Sequence, residues 1–181
     1  IRHIILLVLT GISIQVVLAF ALDIILPLIP GAQEYYQITT NILFDKNCFS
    51  IVYVSILAPI AEEMIFRGLT FRFAGKAVNA WIANIIQAVL FAVYHMNVVQ
   101  GVYTFLMGIV LGYVVMKMKS IWAAVILHST INICGLLLDV IIPDASALTM
   151  LEKGLIEGVS LILVALLIRE IPTIKERGYA I

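Results

Sequence analysis

The amino-acid sequence predicts an all-α, polytopic transmembrane helix bundle of about six spans, a single integral membrane domain over residues 1–181 with a polar site between its central helices. Composition is the first reason. The chain is 63% hydrophobic and 12% charged, with mean hydropathy +1.13, against about 45–50% apolar and about 25% charged in soluble domains. A soluble core of this size has no room for so much apolar surface, so a bilayer is the natural solvent. The second reason is that apolar runs near the roughly 20 residues a spanning helix needs alternate with short polar segments. The third is an uneven distribution of basic residues between the two sets of connecting segments. The formal net charge of zero offers no basic footprint for nucleic acid.

The first span covers roughly Ile4–Leu28 and is stopped by Pro27 and Pro30-Gly31. Ala19-Phe20-Ala21 resembles a signal-peptidase site, but hydrophobicity continues through Leu22 to Ile29, which favours a transmembrane helix. A polar loop with Gln33, Glu34, Asp45 and Lys46 follows. The second span, about Phe49–Phe73, carries Glu62, Glu63 and Arg67 within it. The remaining spans are expected near Ala80–Met96, Val98–Met118, Ile121–Ile142 and Leu151–Ile168, before a charged tail. Cys48 and Cys134 lie in apolar stretches without CxxC pairing and are expected to be small buried hydrophobes.

With the N-terminus inside, the inner segments carry Arg2; Arg67, Arg72 and Lys76; Lys117 and Lys119; and Arg169, Lys175 and Arg177. The outer segments carry Lys46 and Lys153, nine basic residues against two. The positive-inside rule then places both termini in the cytoplasm, and a bacterial cell membrane is the expected location. In the fourth span Gly101, Thr104, Gly108 and Gly112 share one face. Small residues let helices approach closely in lipid, so this face suits an internal helix contact, or else a homodimer.

Ionisable groups at membrane depth are costly, which makes each a functional candidate. Three clusters occur. In Ala61-Glu62-Glu63-Met64-Ile65-Phe66-Arg67, Glu63 and Arg67 stand four apart, the spacing of an ion pair. Glu62 is turned about 100° away and lacks such a partner. A plainer alternative ends the helix near Phe66 and leaves all three charges among headgroups. Pro59 loosens the backbone just before them. In Phe91-Ala-Val-Tyr-His95, Phe91 and His95 share a face that Asn84 and Gln87 extend, a polar stripe expected to point into the bundle. His95 alone is equally readable as an interfacial histidine. In His128-Ser-Thr-Ile-Asn132, imidazole and carboxamide stand side by side and can donate to one oxygen, as an oxyanion hole requires; interhelical hydrogen-bonding glue is the alternative. Together, a carboxylate, two histidines and an amide on three helices are the parts of a water-activating hydrolase. Ser129 is turned about 100° from His128, and the zincin HExxH is absent.

In order along the chain, EExxxR at Glu62–Arg67, FxxxH at Phe91–His95 and HxxxN at His128–Asn132 resemble the three signature motifs of the CAAX-protease and bacteriocin-processing (CPBP) family of intramembrane endopeptidases. The resemblance covers about residues 50–140. It implies that Glu62 activates water assisted by His95, that His128 and Asn132 form the oxyanion hole, and that Glu63, Arg67 and Phe91 support the site. It implies peptide or protein substrates, prenylated or leader-type; the absence of a preorganised metal motif favours a metal-independent reaction without cofactor. Zinc held by Glu62, His95 and His128 is the alternative chemistry. A catalytically inactive scaffold or immunity-type binding protein on the same fold is the alternative function.

Overall fold

The computed structural model describes residues 1–32, 34, 48–141 and 148–173. Gln33, Asp45, Lys46, Lys175 and Arg177, which entered the charge comparison or the expected loops, lie outside them. The described residues form six helices: α1 (Arg2–Ile25, prolonged by a 3₁₀ turn at Leu26–Leu28), α2 (Cys48–Ala74), α3 (Ala80–Tyr94), α4 (Val98–Met118), α5 (Ile121–Ile141) and α6 (Met150–Glu170).

The helix ends follow from local chemistry. Asn79 Oδ1 accepts from the Ile82 amide to start α3, and Asn97 Oδ1 accepts from the Val99 and Gln100 amides to start α4, the usual provision for orphan amides at a helix N-terminus. Thr149 and Glu152 form a reciprocal capping box on α6. Met96 (φ 48°) and Lys119 (φ 51°) adopt left-handed conformations in the turns that follow α3 and α4.

Among the described residues four helices are long and apolar enough to cross a membrane: α1 with its 3₁₀ turn, α2, α4 and α5. The other two expected spans differ. Helix α3 has 15 residues, which rise about 22 Å, short of the roughly 30 Å hydrocarbon core. Helix α6 is 21 residues long but carries Glu152, Lys153, Glu157, Arg169 and Glu170. Two further expectations are corrected. Arg67 is completely buried because it is ion-paired inside the bundle, which leaves eight inner basic residues against two. Cys48 is exposed, beside the outward-facing apolar Phe49 and Ile51, and Cys134 is half-buried because it lies at the edge of the face of α5 that buries Ile131.

Helix α1 packs on α5 and α6, α3 pairs with α4, and α2 leans on α3 and α5. The core runs through Leu7, Phe66, Phe91, Leu111, Val114 and Leu127. Many large apolar side chains remain outside it, including Trp81, Met96, Trp122 and Ile162, as expected where lipid replaces water. The glycine face of α4 is used within the chain. A Cβ at Gly108 would come within 3.0 Å of Ala88 Cα, and one at Gly112 would overlap the Asn84 amide. Self-association through that face would have to displace α3.

Candidate active site

Pro59 carries no backbone N–H, so it leaves carbonyls one turn earlier on α2 without their usual donor. Helix α2 widens to π geometry over Tyr53–Leu57, resumes α geometry over Ala58–Glu63, and widens again over Met64–Thr70. π turns are uncommon and recur at functional sites. From α5, Asn132 Nδ2 donates to the Val54 carbonyl at 2.9 Å, five residues before Pro59.

The six-residue α segment between the two π turns ends in the two glutamates. They sit in different surroundings. Glu63 is fully buried, and its Oε1 accepts from Arg67 Nη1 at 2.8 Å and from His128 Nδ1 at 2.9 Å. The expected i, i+4 ion pair is therefore present and sealed, with neither partner exposed. The helix continues past Phe66 to Ala74, and Glu63 and Arg67 are fully buried, so the reading that ends the helix near Phe66 does not hold. Arg67 Nη2 also donates to the Gly108 carbonyl on α4 at 3.3 Å, and its guanidinium lies 4.6 Å from the centre of the Phe91 ring, close enough for a cation–π contact.

Glu62 keeps 15% of its side chain exposed, and its Oε2 lies 3.7 Å from His128 Nε2. His128 thus bridges two carboxylates, that of Glu63 sixty-five positions earlier in the sequence and that of its neighbour Glu62. A carboxylate oxygen only accepts, so the bond to Glu63 places a proton on Nδ1. Nε2, facing Glu62, then presents a lone pair in the neutral ring and an N–H only in the imidazolium.

His95 caps α3. Its Nδ1 lies 2.8 Å from the Phe91 carbonyl, one of the orphan acceptors of a helix end. A carbonyl only accepts, so Nδ1 donates, and Nε2 carries the lone pair when the ring is neutral. Phe91, with no exposed surface, joins the cluster together: its ring meets those of His95 (4.8 Å), Phe66 (5.0 Å) and His128 (5.9 Å) edge-on.

The structure therefore brings Glu62, Glu63, Arg67, Phe91 and His128 into one contiguous cluster and joins His95 to it through the Phe91 ring. Asn132, one turn beyond His128 on α5, is bound to the α2 backbone at Val54. Helix α3 ends at Tyr94, and Phe91 and Tyr94 both lie against Phe66 of α2. Two buried amides lie behind the cluster. Asn84 and Gln87 were readable in the sequence as a polar stripe, and Gln87 Nε2 donates to the same Gly108 carbonyl as Arg67, at 2.9 Å. Their link to Arg67 carried no sequence signal, because it passes through a backbone carbonyl. Among the described residues no three His, Cys, Asp or Glu side chains are grouped so as to hold a metal ion.

Residues 44–134, half of the 181-residue chain, match the family described as type II CAAX prenyl endopeptidase Rce1-like. The chain is also similar to the "Putative membrane peptidase YdiL" of Bacillus subtilis (strain 168), 29% identical over 82 residues. That match covers 45% of this chain and 34% of the relative, so the chain spans about a third of the relative's length. No solved structure matches the chain.

Proposed function

The chain belongs to the Rce1-like family of type II CAAX prenyl endopeptidases, and from that premise we propose that it is an intramembrane endopeptidase in which Glu62 activates the hydrolytic water. The observation that carries this reading is the asymmetry of the two glutamates. Glu63 is sealed between Arg67 and His128, whereas Glu62 keeps an open edge opposite the His128 ring.

In this reading the Glu62 carboxylate takes a proton from water, and the hydroxide oxygen bonds to the scissile carbonyl carbon. His95 assists by accepting a hydrogen bond from that water at Nε2. The tetrahedral oxyanion is met by the second Nδ2 proton of Asn132 and by His128 Nε2, which serves as a donor when the ring is an imidazolium. The carbon–nitrogen bond then breaks, and Glu62 returns its proton to the leaving amine, which closes the cycle. Glu63, Arg67 and Phe91 hold His128 in place. Such a base contributes about 10²–10⁴-fold, and each oxyanion donor about 10²–10³-fold.

Membrane-associated peptides are the proposed substrates, prenylated or leader-type, and the reaction is proposed to be metal-independent. The absence of the zincin HExxH spacing from the sequence motivates the latter. Purified protein should cleave a quenched farnesylated CAAX peptide or a leader-type peptide at the same rate before and after exhaustive chelation. Activity lost on chelation and restored by zinc would make Glu62, His95 and His128 ligands. Cleavage of neither peptide by folded protein would favour the inactive scaffold or immunity-type reading.

A further inference from the structure

The proposed mechanism leaves unused two amides that lie outside all three motifs. Asn84 and Gln87 project from α3 and are completely buried. Gln87 Nε2 donates to the Gly108 carbonyl on α4 (2.9 Å) and to Asn84 Oδ1 (2.7 Å), and Asn84 Nδ2 donates to the Ile109 carbonyl (3.0 Å). The Gly108 carbonyl accepts from Arg67 Nη2 as well. A buried helical carbonyl thus gathers one donor from each of two neighbouring helices. From it a continuous line of polar contacts runs through Arg67 and Glu63 to His128, and so to the face that Glu62 opposes.

Packing alone does not ask for an amide here. An apolar side chain of similar volume would fill the same space between α3 and α4 without burying polar atoms. Among the described residues the amide's acceptor, Gln87 Oε1, has no hydrogen-bond partner, and neither has Arg67 Nε. A side chain kept in place with half its hydrogen-bonding capacity unmet is better explained by what its other half holds.

We propose that Gln87 is a positioning residue. By sharing the Gly108 carbonyl with Arg67 it fixes the guanidinium in azimuth, and the guanidinium in turn fixes Glu63 and the plane of the His128 ring. Asn84 braces Gln87 through its Oδ1. A methylene-scale displacement at Gln87 would be passed to the imidazole that faces Glu62.

The effect on turnover rests on the peptidase reading; the effect on the His128 ring does not, and the test separates the two. The full chain is prepared as Gln87→Met, Gln87→Asn, Arg67→Lys and the Gln87→Met/Arg67→Lys double variant. Leu7→Ala, a core truncation on α1, serves as a comparison with a similar loss of thermal stability. Nitrogen-15 histidine spectra, with His128 assigned by His128→Ala, report the ring directly. The His128 Nδ1 resonance should move in Gln87→Met and in Arg67→Lys but not in Leu7→Ala. With the farnesylated peptide as probe, Gln87→Met should lower kcat about tenfold with KM within about twofold. In the Arg67→Lys background it should lower kcat by no more than about twofold further, because both changes act through one carbonyl. Gln87→Asn keeps an amide in the pocket but withdraws it by one methylene, and should reproduce these shifts if the methionine variant does not fold. A His128 resonance that stays in place, or kcat losses that multiply in the double variant, would overturn the proposal. If the wild type cleaves no peptide the peptidase reading fails, and the His128 resonance alone decides this one.

Discussion

Glu62 and Glu63 are consecutive and chemically identical, yet one helical step of about 100° gives them opposite conditions. Glu63 faces inward, where a carboxylate is tolerated because Arg67 and His128 both donate to it. Glu62 faces the edge of the cluster and keeps partial access. Removing Arg67 would strand Glu63 in a low-dielectric site, and breaking one partner of a buried pair costs about 3–5 kcal/mol. Arg67→Ala should therefore lower the thermal transition markedly; a transition within a degree of wild type would mean that the pair is not buried. The pair was legible from the four-residue spacing alone, and so was the lack of a helical partner for Glu62. The bridge made by His128 was not, because it joins side chains on helices 65 positions apart, and no local pattern records which ring atom meets which carboxylate.

At the scale of the helix, two features shape the site: the widened turns of α2 and the close pairing of α3 with α4. Asn132 reaches a carbonyl in the first widened turn, so the third motif also ties α5 to the helix that carries the first. The α3–α4 pairing depends on Gly112, where a Cβ would overlap Asn84 Oδ1 and come within 2.9 Å of Gln87 Nε2. Gly112→Ala must push aside an amide that holds two hydrogen bonds, and overpacking of this kind costs about 1–3 kcal/mol. The expected result is a lower thermal transition, and no change would show that α3 and α4 pack more loosely than described. The sequence displayed the small-residue face of α4 but not its partner, since the same stripe serves an internal contact or a dimer. It flagged Pro59 as a loosened point. The π turns on either side were not readable, because they depend on how α2 is held by its neighbours.

For the molecule as a whole, apolar run lengths located the helices to within about three residues, since hydrophobicity is what a bilayer selects. Run length did not anticipate that α3 would be shorter than a span, and the charge comparison counted among the inner-segment residues an Arg67 that its pair with Glu63 holds inside the bundle. We propose the orientation that the positive-inside rule favours, with the α2–α3 turn and both termini cytoplasmic; without Arg67, the expected six-span arrangement counts eight inner basic residues against two. In a background lacking Cys48 and Cys134, cysteines at Lys76 and Met150, both exposed, should label from opposite faces of sealed vesicles with an impermeant reagent. Labelling from one face would reject the orientation. The central claim concerns a single carboxylate, and its most direct test is turnover by Glu62→Gln beside Glu63→Gln, with thermal transitions measured for both. The glutamine at position 62 preserves size and most hydrogen bonding but takes no proton from water, so peptide cleavage should fall by at least about 10²-fold with the fold intact. Glu63→Gln should lose less in turnover and more in stability, because its carboxylate is bound to Arg67 and His128. Cleavage at the wild-type rate by Glu62→Gln, with Glu63→Gln folded but inactive, would contradict the assignment and exchange the roles of the two glutamates.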